Sequence, residues 1–172
     1  MISWICFEWK TSGLPAAGDS VSPFVIRPAE KDEEENVGKM ISSAFSMDPT
    51  WGDIARVLLE NVASSLGTAF ARPAPSCVVL LHGHRIIGAS LLDTNPDSAN
   101  HLLTGPCILH EYRNRGLGSG LLRDSLAFLG EHEVGTVRGI TRDHSTAARF
   151  IYPKFGSSSK PCETDPLRPS EG

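Results

Sequence analysis

Val37, Met40, Ile41, Ala44 and Phe45 recur at i, i+3, i+4, i+7 and i+8, a spacing that lines them along one face of a helix. The acidic run from Asp32 to Glu35 ahead of them suits the positive end of that helix's dipole. Ile54, Val57, Leu58 and Val62 repeat the pattern behind the breaker Asp48-Pro49-Thr50-Trp51-Gly52 and predict a second helix. Leu117, Leu121, Leu122, Leu126 and Leu129 predict a third, from Leu117 to about Glu131. Between these stripes lie apolar runs of strand length. Phe24 to Pro28 is a short first strand, ended by Pro28 because proline cannot donate to a ladder. Ser76 to His82 and Ile86 to Leu92 flank the turn Gly83-His84-Arg85 and predict a β-hairpin. His101 to Leu109 and Val134 to Thr141 predict two further strands, and the order β-α-α-β-β-β-α-β-α, with a variable strand at the end, gives a mixed α/β sheet.

Composition changes this picture little. The 172 residues correspond to one domain, and 40% hydrophobic content suffices for a core. A net charge of −4 gives no general attraction to nucleic acid or to an anionic membrane, so neither is expected as a partner. Thr11 to Pro23 is rich in Gly, Ser, Pro and Ala, which makes residues 1–23 a flexible lead-in outside a domain of residues 24–157. The tail 158–172, with Pro161, Pro166 and Pro169, is expected to lie extended over the surface or to be disordered. Met1 to Trp9 is apolar, but Glu8 interrupts it and no basic leader or cleavage pattern accompanies it, so a cytoplasmic protein is expected. The four cysteines, Cys6, Cys77, Cys107 and Cys162, lack CxxC spacing, and two fall in predicted strands. That pattern suits reduced thiols rather than a disulfide frame or a metal site.

The distinctive chemistry lies where a predicted strand runs into the third helix. Gly116, Gly118 and Gly120 occupy three of five positions, each costing up to about 1 kcal/mol of helix propensity relative to Ala with no packing gain evident in the sequence. Close approach of a ligand to the backbone accounts for them. The first-turn amides lack intrahelical partners and the dipole is positive there, so the junction suits a phosphate or pyrophosphate, with Arg113 and Arg115 adjacent. The spacing GxGxG is neither a dinucleotide GxGxxG nor a P-loop, and it leaves RxxGxG from Arg113 to Gly118.

RxxGxG at a strand-to-helix junction resembles the pyrophosphate signature of the GNAT superfamily of acyl-CoA-dependent N-acyltransferases. His110-Glu-Tyr-Arg-Asn-Arg-Gly-Leu-Gly118 is similar to the family's P-E-Y-R-G-x-G-x-G run, with His110 in place of Pro, and Ala148 to Gly156 resembles its A-x-x-x-Y-E-K-L-G-F. The resemblance spans residues 24 to 157 and implies a mostly antiparallel central sheet flanked by helices, with acyl-CoA bound at a splayed strand pair. It further implies acetyl-CoA as co-substrate, a small-molecule or peptide amine as acceptor, and a homodimer as a common assembly. Backbone groups of Ile108, Leu109 and His110 would pair with the pantetheine arm. Amides of Arg113, Asn114, Arg115, Gly116, Leu117 and Gly118 would hold the pyrophosphate, with Ser119 and Gly120 completing the pocket.

The same resemblance makes Tyr152 the acid that protonates the departing thiolate. Ser145 stands where the family often has an Asn that bonds the cofactor arm, and its reach is shorter. His101 is the first choice as general base, ahead of Glu111 and His110. His82, His84 and His132 read as ordinary surface histidines. Arg138, Arg142 and Arg149 read as a solvated face, with Arg149 able to approach the adenosine phosphate side. The acceptor would be contacted by residues of about Met47 to Asp53 and Asp93 to His101. The expected activity is acetyl transfer to a primary amine by direct attack in a ternary complex. A non-catalytic acyl-CoA-binding module on the same fold, and a cofactor-free interaction domain, are the alternatives.

Overall fold

Two antiparallel sheets, rather than one continuous sheet, carry the chain in the computed structural model, which describes residues 3–14, 16–18, 23–163 and 166. The larger sheet runs β2 (Phe24–Pro28), β3 (Cys77–His82), β4 (Arg85–Leu91) and β5 (Cys107–Ile108). β3 is buried along all but its last residue, because α1 (Glu34–Ser46) packs on β4 and β5 while α3 (Leu117–Glu131) covers β2 to β5. α1 buries Val37, Met40, Ile41, Ala44 and Phe45, the stripe read from the sequence. α2 (Ala55–Phe70) leans on α1 and buries Val62, Ala69 and Phe70, whereas Val57 stays exposed.

The smaller sheet runs β6 (Thr136–Arg142), β1 (Trp4–Lys10), β7 (Ser158–Pro161). Here the structure departs from the sequence reading. Residues 4–10, expected outside the domain, form the central strand, paired with β6 from Trp4↔Arg142 to Lys10↔Thr136. Phe7 and Trp9 are sealed in the core beside Tyr152. Residues 158–161 pair with β1 from Ile5↔Pro161 to Glu8↔Ser158. Both strands lacked a local signature of pairing because their partners lie more than a hundred residues away. Antiparallel pairing also brings Cys6 and Cys162 together as a disulfide, with Cα atoms 5.7 Å apart, which corrects the expectation of reduced thiols for these two; Cys77 and Cys107 are free and buried. The expectations for residues 1, 2, 15, 19–22, 164, 165 and 167–172 lie outside the described residues.

No ladder joins β5 to β6. The strand predicted from His101 to Leu109 shrinks to two residues, since Gly105 turns left-handed (φ +63°) just before Pro106. There the amides of His101 and Leu102 donate to Arg138 O, the amides of Arg138 and Ile140 donate to His101 Nδ1 and Asn100 Oδ1, and the sheets splay open beyond these links. Among the described residues no helix is long and apolar enough to cross a membrane.

Candidate active-site cleft

The splay opens into a cleft of about 780 Å³. One wall is the glycine loop. Past β5 the chain makes a single 3-10 turn, His110–Tyr112, in which the amides of Tyr112 and Arg113 donate to Leu109 O and His110 O. Asn114 (φ +64°) and Gly116 (φ +75°) are then left-handed on either side of Arg115. Such alternation turns successive N–H groups toward one side, forming an anion nest that opens onto the start of α3. Among the described residues no acceptor takes the amides of Asn114, Arg115 or Gly116, and the first-turn amides of α3 have no intrahelical partner. Gly116 caps α3 in a conformation that side chains resist. Gly118 has a packing reason missed in the sequence, since a Cβ there would lie 2.7 Å from Ile151 Cδ1.

The arginines of the loop do not serve as free cations. Arg113 donates through Nε to Ile108 O (3.2 Å) and through Nη2 to Ala44 O (3.1 Å), and its Nη1 lies 3.4 Å from Asp48 Oδ2. It ties the C-terminal end of α1 to β5. Arg115 donates to Glu111 O and stacks over Tyr112, away from the cleft. The cation that reaches α3 is Lys154, whose Nζ donates to Ser119 Oγ at 2.7 Å. A lysine beside a helix's positive end is electrostatically uphill unless an anion shares the site. Its sequence signal was the Lys of the Tyr-Pro-Lys-Phe-Gly run.

Ile108, His110, Asn114, Leu117 and Ser119 line the cleft, as do Arg113, Gly116 and Gly118, while Leu109, Gly120 and Arg149 do not. Leu109 is buried and its N–H donates to Ile87 O, which removes it as a pantetheine partner. Alternation along the strand leaves the N–H and C=O of Ile108 on the open edge, where the C=O already accepts from Arg113. Arg149 is exposed outside the cleft.

The opposite wall is the end of β6 and the π-helical turn Ala147–Ile151. Ser145 Oγ lies 2.8 Å from Thr141 Oγ1 and accepts from Ala148 N, so this hydroxyl braces the turn. The wider turn, closed by Tyr152 N donating to Ala147 O at 2.7 Å, aims Tyr152 between Phe7 and Trp9. Its hydroxyl faces Gly105, where a Cβ would come within 2.5 Å of it. Among the described residues nothing hydrogen-bonds that hydroxyl, and burial holds the phenol's pKa well above its ordinary value. An unpartnered polar atom on a cleft wall marks a place for a ligand atom.

His101 lies elsewhere. It is fully buried, its Nδ1 accepts from Arg138 N (2.9 Å), and its Nε2 donates to Asn95 O (2.8 Å). Burial holds the imidazole neutral by lowering its pKa, and with both ring nitrogens engaged it has no lone pair for an acceptor's proton. The role of general base is therefore withdrawn from His101, which instead joins the two sheets. Arg142, expected on a solvated face, is also buried, donating to Thr50 O (2.7 Å) and to both oxygens of Asp53 (2.9 and 3.1 Å). Its guanidinium lies against Trp4 and Trp51, which line the cleft together with Phe45.

The sequence model of the acetyltransferase (GNAT) family matches residues 29–156. No curated protein matches the chain significantly. Among solved structures the chain is similar to a GCN5-related N-acetyltransferase from Sphaerobacter thermophilus, at TM-score 0.68 and 16% identity over 93% of this chain and 49% of that one. It is similar to a GNAT-family acetyltransferase from Colwellia psychrerythraea, at TM-score 0.62 and 13% identity over 94% and 54%. A GCN5-related glucosamine N-acetyltransferase region of a fungal multi-domain β-N-acetylglucosaminidase aligns at TM-score 0.61 and 13% identity, over 94% of this chain and 20% of that one. At such identities the likeness is one of fold, and the chain spans about half the length of the two bacterial structures.

Proposed function

The chain belongs to the GNAT family of acetyltransferases, and from that premise we propose that it transfers the acetyl group of acetyl-CoA to a primary amine by direct attack in a ternary complex. The observation that carries this reading is the nest of unpaired amides from Asn114 into the first turn of α3, with Lys154 beside it, on the same cleft as Tyr152. These donors fit a pyrophosphate, and a cleft of about 780 Å³ lies in the range of ligand pockets. Bound acetyl-CoA supplies the thioester: the amine nitrogen forms a C–N bond to its carbonyl carbon, the C–S bond breaks, and the proton lost by nitrogen balances the one gained by sulfur.

The residues of this chain supply positioning and electrostatics. Tyr152, its pKa raised by burial, remains a neutral donor at any physiological pH. Full proton transfer from such a phenol to a thiolate of ordinary pKa about 8.5 is uphill. Its contribution is therefore a hydrogen bond to the negative charge developing on sulfur, while the nitrogen's proton travels through water. Asp48, the one carboxylate lining the cleft among the described residues, already accepts from Thr50 N and faces Arg113. That engagement, with His101 locked in the sheet, favours a second reading, acyl-CoA binding without turnover, which release of CoA thiol with an amine panel excludes. The disulfide removes the cysteine-based support for a cytoplasmic location, since such bonds persist in oxidising compartments.

Ser119→Asp tests the anion site without harming the helix, because a carboxylate in the first turn of α3 suits the dipole and pairs with Lys154. It should keep or raise Tm and weaken acetyl-CoA binding at least tenfold by calorimetry. Unchanged affinity in the folded variant would remove the glycine loop as the pyrophosphate site.

A further inference from the structure

Charge is distributed unevenly around the cleft. Lys154 and His110 sit with the glycine loop, and Asp48 and Arg113 face each other. Toward α1, α2 and the end of β6 the wall is aromatic: Phe45, Trp51, Trp4 and Phe150, with neutral Asn61 and Asn100 among them. Asn100 Oδ1 is taken by Ile140 N. Trp51 is fixed from several sides, edge-on to Phe45 at 5.9 Å, 6.1 Å from Trp4, and under the Arg142 guanidinium at 5.4 Å. Arg142 is in turn neutralised by Asp53 and fully enclosed, so it holds the indoles in place and offers no charge to a ligand. Phe150 lines the same cleft with 65% of its surface exposed, a large ring that the described residues leave uncovered.

Resting on the transferase reading, we infer that the acceptor is a primary monoamine carried on an aromatic or bulky apolar body, received against the Trp4–Trp51–Phe45 face with the exposed Phe150 ring on the same cleft. A polyamine would bring a second ammonium to a wall with no free carboxylate among the described residues, and an amino-sugar phosphate would bring an anion to a wall with no free cation among them. Each would lose hydration without compensation. An aromatic body instead exchanges water for rings already fixed in position, and the single ammonium gains from their faces before it loses its proton.

The test measures CoA-thiol release with phenethylamine, tryptamine and hexylamine against spermidine and glucosamine 6-phosphate. The three apolar amines should exceed the other two at least tenfold in kcat/KM. Trp51→Ala should raise KM for tryptamine about tenfold or more with kcat and acetyl-CoA affinity nearly unchanged, Trp51→Phe should restore most of it, and Phe150→Ser, at an exposed position, should raise KM without loss of fold. A preference for spermidine or the sugar, or a Trp51→Ala defect shared equally by all amines, overturns the inference while leaving the transferase reading intact. If acetyl-CoA binds and no amine releases thiol, the transferase reading fails by itself. Calorimetric binding of tryptamine, weakened by Trp51→Ala, then supports the aromatic site, and no binding overturns it.

Discussion

Tyr152 combines two properties that ordinary core tyrosines do not share: a ring fully enclosed by Phe7 and Trp9 and a hydroxyl with no partner among the described residues. Tyr152 lines the cleft, and its hydroxyl gives the fold no hydrogen bond among the described residues. Removing it should therefore not weaken the fold. Tyr152→Phe is expected to hold or raise Tm, keep acetyl-CoA affinity, and slow the acyl-transfer step about tenfold or more, read by pre-steady-state kinetics so that product release does not mask the effect. Wild-type chemistry in that variant would make Tyr152 a packing residue. Arg113 teaches the converse, because its position in the RxxGxG motif suggested a phosphate ligand and its guanidinium is instead committed to carbonyls of β5 and α1.

At the scale of elements, β1 and β7 show how a weak strand is secured. Ser158–Pro161 has four exposed residues and no apolar pattern, yet it pairs along β1 and is tied there by Cys6–Cys162. The bridge closes nearly the whole chain, a sequence separation of 156, and by chain entropy such a crosslink contributes about 2–5 kcal/mol. Cys77 and Cys107 are enclosed, and burial pushes each thiol up to about 12. Thiol titration of the native protein should accordingly find almost no reactive sulfhydryl, the denatured unreduced protein should show two, and reduction should lower Tm. Four reactive thiols on denaturation without reductant would refute the bridge.

For the molecule as a whole, the cleft exists because two sheets meet at one end and part at the other. The smaller sheet cannot be assembled without β1, which pairs with β6 along seven residues and supplies Phe7 and Trp9 around Tyr152. A fragment of residues 24–157, the domain that the sequence delimits, should lack cooperative unfolding and acetyl-CoA binding, by near-ultraviolet dichroism and calorimetry. A native-like Tm in that fragment would mean that β1 is an accessory strand.

What the sequence alone determined were features whose signal is local. The stripe of α1, the β3–β4 hairpin and the turn of glycines into α3 each follow from periodicity or backbone preference within a few residues. Tertiary structure decided what depends on distant neighbours: that residues 4–10 enter a sheet, that Cys6 meets Cys162, and that both ring nitrogens of His101 are spent joining β6 to Asn95. It also decided that Arg142, with Asp53, holds the indoles of Trp4 and Trp51 on the cleft. The physical reason is the same in each case. A side chain's type sets which bonds it is able to make, but which partner stands within 3 Å of it is fixed only when elements far apart in the chain pack together.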